Sequence, residues 1–161
     1  MCIRDSIKAA QIAKQSNTKI ILSLSDSFCV DRHRKSFLEL IDEYVDIVFC
    51  NESEVLSLFK KDKLANLQGD LSSLCELAVV TLGSNGSLII NKNDNEVIKS
   101  ITKEEIIDTT GAGDIYAGGF IHGLINNYPL KRCGEIGSIC AGHIITQLGS
   151  RSNIDLKDLI R

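Results

Sequence analysis

The chain has 161 residues, is 43% hydrophobic and 24% charged, and carries a net charge of −3, as expected for one globular domain. Its charges are interspersed without a basic stripe, which argues against nucleic acid as a partner, and no apolar run reaches the roughly 18 residues that span a bilayer. The six cysteines include no C-x-x-C pair and no zinc-ligand spacing, which predicts free thiols in a reducing cytoplasm.

The first six residues, MCIRDS, are not the start of a signal peptide, because no apolar core follows them. We therefore expect residues 1–6 to be a non-native leader or the scar of a truncation. Residues 7–161 are expected to form a single domain.

The spacing of apolar residues predicts helices and strands that alternate along the first half of the chain. Helices are predicted at 6–15, 32–44, 51–59, 114–126, 129–148 and 155–160, with Pro129 at the N1 position of its helix. Strands are predicted at 19–25, 45–50, 77–82 and 105–108, and a hairpin at 87–100. This order predicts an α/β fold in which helices cover both faces of a mainly parallel sheet, with the hairpin at one edge.

A glycine-rich stretch, IIDTTGAGDIYAGGFIHGL, follows the last predicted strand and holds five of the twelve glycines in residues 106–124. Gly111 and Gly113 permit backbone torsions and close approaches that a Cβ would block. The helix behind them presents unpaired N–H groups and the positive end of its dipole, which suit a phosphate and keep Asp114 ionised. An ionised carboxylate beside an anion site can deprotonate a hydroxyl that attacks a phosphoryl group.

The same turn also fits an ordinary helix N-terminus with an acidic first turn, which requires no ligand. Two other phosphate motifs fail. A dinucleotide fingerprint needs Gly or Ala where Tyr116 stands, and a Walker loop needs Lys and Ser or Thr where residues 118–120 read GGF.

The string DTTGAGDIYAGGF closely resembles the C-terminal signature of the PfkB, or ribokinase-like, carbohydrate kinase family. The strings SLSDSFCVDRHRKSFLELI, VDIVFCNESEVLSLF, VVTLGSNGSLII and AGHIITQLGSRSN look like further family segments in family order, and they are most similar to the adenosine-kinase-like branch. The resemblance implies a three-layer ribokinase-like fold truncated at its N-terminus, with only the C-terminal, nucleotide-binding half present. It also implies an ATP-dependent kinase that acts on a hydroxyl of a sugar or nucleoside.

The resemblance assigns the chemistry to the glycine-rich turn. Asp114 matches the family's general base, and Gly111, Ala112 and Gly113 match the anion hole that receives the transferred phosphoryl group. Phosphoryl transfer of this kind depends on positioning and electrostatics, with ATP and Mg²⁺ as the implied cofactors.

The resemblance assigns further residues to the nucleotide and to cations. Those matching nucleotide-binding positions are Thr81, Gly83, Gly86, Asn51 and His143; Glu54 matches a position that binds Mg²⁺ through water, and Asp108 and Thr110 match a K⁺ site of some members. Several of these residues also have an explanation that needs no ligand. Asn51 and Glu54 have the spacing of a capping box, and Asn85-Gly86 is typical of a hairpin turn. A lone histidine such as His143 is commonly a packing residue.

These segments are expected to meet at the carboxyl ends of the strands, where open α/β sheets bind ligands. Because the implied N-terminal half carries most substrate contacts, we expect the chain alone to be inactive and one flank of its sheet to expose apolar surface. The expected partners are ATP and a small sugar or nucleoside, with a homodimer as the candidate assembly of the full-length protein. The alternatives are a non-catalytic nucleotide-binding module of the same fold and an unrelated Rossmann-like binder.

Overall fold

The computed structural model describes residues 3–101 and 105–160. Six α-helices occur among the described residues: α1 (Ile3–Gln15), α2 (Ser27–Tyr44), α3 (Glu52–Phe59), α4 (Gln68–Leu74), α5 (Ala112–Ile125) and α6 (Leu130–Ile144). The five strands are β1 (Ile21–Ser23), β2 (Ile47–Asn51), β3 (Leu77–Thr81), β4 (Ser87–Asn91) and β5 (Asn95–Ile98). Short 3-10 helices occupy Leu64–Asn66, Gly83–Asn85 and Leu156–Leu159. None of the described helices is long and apolar enough to cross a membrane.

The strands form one sheet in the order β1-β2-β3-β4-β5. β1 pairs with β2 in parallel, with Ile21 opposite Ile47, and β2 pairs with β3 in parallel, with Ile47 opposite Leu77. β4 and β5 are neighbours at the other edge, where the hairpin is predicted. The predicted α/β fold with a mainly parallel sheet is therefore confirmed.

The chain divides into two compact units, the first comprising Met1–Thr81 with Ile90–Asn95 and the second Leu82–Ile89 with Glu96–Arg161. In the first unit, the first four residues of both β2 and β3 are buried, as expected of strands covered on both faces. Their core includes Val30, Phe37, Ile41, Val48, Val55, Leu58, Val79 and Val80, each fully buried. These side chains fix the strand ends from which the polar residues of this unit project.

In the second unit, glycines let α5 and α6 pack with their backbones close together. A Cβ on Gly119 would lie 3.1 Å from the Cα of Gly137, and a Cβ on Gly123 would lie 2.9 Å from the Cα of Cys133. Phe120 and Ile136 are fully buried in the same unit. The helix that begins at the glycine-rich turn is therefore held firmly against its neighbour.

Several predicted boundaries differ from the structure. Helix α2 begins at Ser27, five residues before the predicted start, because Asp26 caps it by accepting from the Cys29 N–H at 2.7 Å. Helix α1 already begins at Ile3, inside the predicted leader, whose residues 1 and 2 lie outside the described residues. Strand β1 has three residues, and helix α4 was not predicted.

The predicted strand at 105–108 is wrong. The backbone N–H groups of Ile107 and Asp108 donate to the Ile145 carbonyl at 2.8 and 3.2 Å, just beyond the end of α6, instead of joining a sheet. Helix α6 ends at Ile144, four residues before the predicted end, and Pro129 is its N-cap rather than its N1 residue.

Candidate functional site

In the first unit, polar residues end two neighbouring strands. Asn51 is the last residue of β2 and lies opposite Thr81, the last residue of β3, in the parallel register. The Thr81 hydroxyl donates to the Cys50 carbonyl at 3.4 Å. Two of the predicted ligand-binding residues are thus brought together at the carboxyl ends of β2 and β3.

Asn51 and Glu54 form a reciprocal cap at the start of α3. The Asn51 Oδ1 accepts from the Glu54 N–H at 2.9 Å, and the Glu54 Oε2 accepts from the Asn51 N–H at 2.9 Å. A third bond runs from the Asn51 Nδ2 to the Glu54 Oε1 at 2.7 Å. The capping box that the sequence allows is therefore present, and it fixes the Glu54 carboxylate at the end of β2.

Glu54 is 5% exposed, an unusual degree of burial for a carboxylate. Burial raises the pKa of this carboxyl, the backbone N–H of Asn51 works in the opposite direction, and the charge of Asp26 raises the pKa further. Asp26 was missed by the sequence analysis, although its place after a predicted strand and before a helix was a visible signal. The charge of Asp26 thus acts on the buried carboxyl of Glu54 at the end of β2.

This arrangement fits a magnesium ion. Mg²⁺ is commonly held by one or two carboxylates while waters and substrate phosphates complete its shell. The described residues contain no group of three or more His, Cys, Asp or Glu side chains that could enclose a metal without such help. A cation near Glu54 and Asp26 would also relieve the repulsion between the two carboxylates.

In the second unit, the glycine-rich turn starts α5. Gly111 is the N-cap with φ +78°, and α5 begins at Ala112, two residues earlier than predicted, so Asp114 lies in its first turn. Gly113 and Asp114 are exposed, and N–H groups in a first turn have no acceptor within the helix. The Ala112 N–H donates to the Thr109 carbonyl at 3.2 Å, so its part in the anion hole stays a prediction.

Asp108 accepts hydrogen bonds both from this turn and from the segment after α6. Its Oδ1 accepts from the Thr110 N–H at 2.9 Å, and its Oδ2 accepts from the Gly149 N–H at 2.9 Å. Hydrogen bonds from the Thr110 side chain, then from the two backbone N–H groups, hold the pKa of the Asp108 carboxyl below its ordinary value. A Cβ on Gly111 would lie 2.5 Å from the Cβ of Ser150, so this close approach requires glycine.

The turn at Gly83–Gly86 is also shaped by glycine. Gly83 and Gly86 have φ values of +58° and +90°, and the Leu82 N–H donates to the Gly86 carbonyl at 2.8 Å. A Cβ on Gly86 would lie 1.9 Å from the Ile98 carbonyl oxygen. The turn therefore leads into β4 with a fixed backbone. An ordinary hairpin turn at Asn85-Gly86 that binds no ligand would require the same.

His143 lies in the last turn of α6 and is half-buried. Its Nε2 is buried without a hydrogen-bond partner among the described residues, and so is the Oε1 of Gln147, which the sequence analysis did not single out. Buried polar atoms are usually hydrogen-bonded, so both are suited to a water molecule or a ligand.

The chain is similar to known kinases over nearly its whole length. The family model described as pfkB family carbohydrate kinase matches residues 4–157. A nucleoside kinase from Methanocaldococcus jannaschii is 29% identical over 149 residues, which cover 92% of this chain and 48% of that protein.

Solved structures of kinases are also similar to this chain. The adenosine kinase from Sinorhizobium meliloti superposes with a TM-score of 0.92 and 37% identity, covering 96% of this chain and 47% of that one. A probable sugar kinase from Rhizobium etli CFN 42 gives a TM-score of 0.91 and 38% identity, covering 95% and 47%. The chain spans about half the length of the relatives that it matches. It has the ribokinase-like α/β fold and belongs to the PfkB family of carbohydrate kinases.

Proposed function

We propose that the chain supplies the phosphoryl-transfer half of an ATP-dependent kinase acting on a hydroxyl of a sugar or nucleoside. One observation carries this proposal: Asp114 is exposed in the first turn of a helix whose N-cap, Gly111, adopts a left-handed conformation. An acid placed there is stabilised by the helix dipole and stands beside backbone N–H groups that suit a phosphate. Membership of a kinase family supports the same reading.

In this proposal, Asp114 takes the proton from the substrate hydroxyl as that oxygen attacks the γ-phosphorus of ATP. The bond between the γ-phosphorus and the oxygen that bridges it to the β-phosphate breaks, and ADP leaves. The N–H groups of the first turn of α5, with that of Gly113 foremost, donate to the oxygens of the transferred group. Such donors stabilise the charge of the transition state without moving during the reaction, which makes them effective. Gly111 contributes through the close approach that its missing side chain permits.

Thr81, Gly83 and Gly86 are proposed as nucleotide-binding residues, and His143 is proposed as a residue that contacts the base. The buried Nε2 of His143, which has no hydrogen-bond partner among the described residues, supports a ligand at that position. Asn51 and Glu54 are proposed to hold Mg²⁺ through water, with Asp26 as an added carboxylate. When bound, the ion neutralises phosphate charge and orients the polyphosphate.

Asp108 and Thr110 are proposed to hold a monovalent cation such as K⁺. The hydrogen bonds that Asp108 accepts from the Thr110 and Gly149 N–H groups support an ordered loop there. The proposed partners are small molecules, with no nucleic acid or membrane, and a homodimer is the proposed assembly. A cytoplasmic location is proposed because all five described cysteines are free thiols.

The proposal includes a longer protein that carries this chain as its C-terminal half. The test is transfer of radiolabelled γ-phosphate from ATP to a panel of nucleosides and sugars, using this chain and that longer protein. We expect magnesium-dependent transfer to one class of hydroxyl by the longer protein. ATP binding without transfer to any member of the panel would support a non-catalytic nucleotide module instead. Binding of NAD with no binding of ATP would support a Rossmann-like binder and reject the kinase proposal.

Replacing Glu54 with glutamine separates the cap from the proposed metal role. Because glutamine retains one acceptor for the Asn51 N–H, we expect the free energy of unfolding to fall by about 1 kcal/mol or less, the range of a weakened cap. The Mg²⁺ concentration at half-maximal rate should rise about tenfold, since each ligand charge contributes strongly to binding a hard cation. Urea denaturation and magnesium titration of turnover provide the two measurements.

The matched control is Glu52→Gln, which removes an exposed carboxylate from the same first turn of α3 without touching the capping box. It should leave the magnesium requirement unchanged. If Glu54→Gln lowers stability and leaves the magnesium requirement at the wild-type value, Glu54 serves only as a cap.

A further inference from the structure

A buried hydrogen bond joins the Gly83–Gly86 turn to the helix that carries Asp114. The hydroxyl oxygens of Ser87 and Tyr116 are 2.6 Å apart. Ser87 is the residue directly after Gly86 and is 0% exposed, while Tyr116 lies two residues after Asp114 and is 4% exposed. Both residues belong to the second unit.

The Tyr116 ring is held on two sides, so its hydroxyl has a defined position. A Cβ on Gly137 would lie 3.1 Å from the Tyr116 Cζ, which shows that the ring rests against the backbone of α6. The Phe120 ring stacks nearby, with a centroid distance of 6.3 Å and an interplanar angle of 27°. Burial raises the pKa of Tyr116 to about 12, so the hydroxyl keeps its proton at neutral pH and can donate.

The Ser87 side of the bond is equally constrained. The backbone of Gly86, with φ +90° and ψ −128°, lies against the carbonyl of Ile98, and the Leu82 N–H closes the turn by bonding to Gly86. Ser87 therefore moves with the turn. A change in the distance between Ser87 and Tyr116 would shift the first turn of α5 relative to the Gly83–Gly86 turn.

We propose that Tyr116 is a positioning residue. Its hydrogen bond to Ser87 fixes the position of the first turn of α5 relative to the Gly83–Gly86 turn, so that both turns contact the polyphosphate of one nucleotide. The inference rests on the proposed function, in which each of these segments contacts ATP. A phenylalanine would fill the same space, so packing alone does not require the hydroxyl. The competing explanation is a core hydrogen bond that contributes to stability and nothing else.

The first test is Tyr116→Phe, with Tyr128→Phe as the matched control because Tyr128 is exposed in the same unit. Calorimetry measures the Kd of Mg·ATP, and assays of the longer protein measure KM and kcat at a temperature well below unfolding. We expect Tyr116→Phe to raise the Kd and the KM for ATP about tenfold, the effect of one well-placed hydrogen bond. The KM for the hydroxyl substrate should not change, and Tyr128→Phe should match the wild type.

The second test separates positioning from stability. Tyr116→Phe leaves the Ser87 hydroxyl buried without its partner, which is destabilising, whereas Ser87→Ala combined with Tyr116→Phe removes both polar groups and should recover stability. We expect the double variant to regain its unfolding midpoint while its Kd for Mg·ATP stays about tenfold weaker than wild type. Recovery of ATP affinity together with stability would overturn the proposal, because the bond would then serve only the fold.

The two proposals fail in different ways. If the wild type binds Mg·ATP but transfers phosphate to no hydroxyl, the kinase chemistry is rejected. The positioning proposal would still be supported if the Kd for Mg·ATP is raised both in Tyr116→Phe and in the double variant with Ser87→Ala. A wild-type chain and longer protein that bind no Mg·ATP would overturn the positioning proposal as well. A Kd that is the same in the wild type and in Tyr116→Phe would overturn positioning alone.

Discussion

Replacing Asp114 with asparagine is expected to lower the rate of phosphoryl transfer by about 10³-fold, within the range that general base catalysis contributes. Asparagine has nearly the same shape and can still accept a hydrogen bond in the first turn of α5, but it cannot take the proton of the attacking hydroxyl. The Kd for Mg·ATP should therefore stay close to the wild-type value. Turnover of the longer protein and calorimetric ATP binding are the required measurements.

Asp5→Asn is the matched control for Asp114→Asn, because Asp5 is an exposed acid in the first turn of α1. Both changes remove a favourable interaction with a helix dipole, so each should lower the free energy of unfolding by about 0.3–1 kcal/mol. Only Asp114→Asn should affect turnover. Undiminished transfer by that variant would reject Asp114 as the base and leave it as an ordinary helix-capping acid.

Replacing Gly86 with alanine is expected to have the largest effect on stability. The new Cβ would meet the Ile98 carbonyl oxygen at 1.9 Å and the Ser100 nitrogen at 2.7 Å, and neither backbone atom can rotate away. Alanine is also strained at φ +90°. We expect a loss of about 3–5 kcal/mol, or failure to fold at 37 °C, measured by the urea midpoint of unfolding.

Gly118→Ala is the control for this change, since a Cβ there meets nothing within 4 Å and the residue lies in the interior of α5. It should raise stability by up to about 1 kcal/mol, because alanine favours helix over glycine. A loss below about 1 kcal/mol for Gly86→Ala would mean that the turn can rearrange and is not fixed as described.

The helices and strands with strong apolar periodicity could be predicted from the sequence. β2 and β3 are continuous buried runs, and the Asn51-x-x-Glu54 pattern correctly gives the capping box that starts α3. The fold class follows from the alternation of such segments, because parallel strands require helical crossovers. In the glycine-rich turn the prediction holds for Gly111, which adopts the positive φ that its residue type permits, but not for Gly113, where a Cβ would meet nothing within 4 Å.

Other features depended on contacts between distant residues. Residues 105–108 have the composition of a strand, but the N–H groups of Ile107 and Asp108 bond to the carbonyl of Ile145, 38 residues after Ile107, instead of to a neighbouring strand. The start of α2 depended on which of several polar residues caps it, and Asp26 does so. The bond between Ser87 and Tyr116 spans 29 residues, and local propensity carries no information about such a pair.

The two faces of α5 suggest a place for a spectroscopic reporter. Gly119 and Gly123 face α6 so closely that no side chain fits there, whereas Gly118 is exposed and stands four residues after Asp114. Residues four apart share a helix face, so a fluorophore on Gly118→Cys would lie next to the proposed base. Cys50, Cys75, Cys133 and Cys140 are buried and slow to react, which leaves Cys29 as the described thiol to replace before labelling. Nucleotide binding at the first turn of α5 would change the fluorescence emission of such a dye, so binding could be followed in real time without a coupled assay.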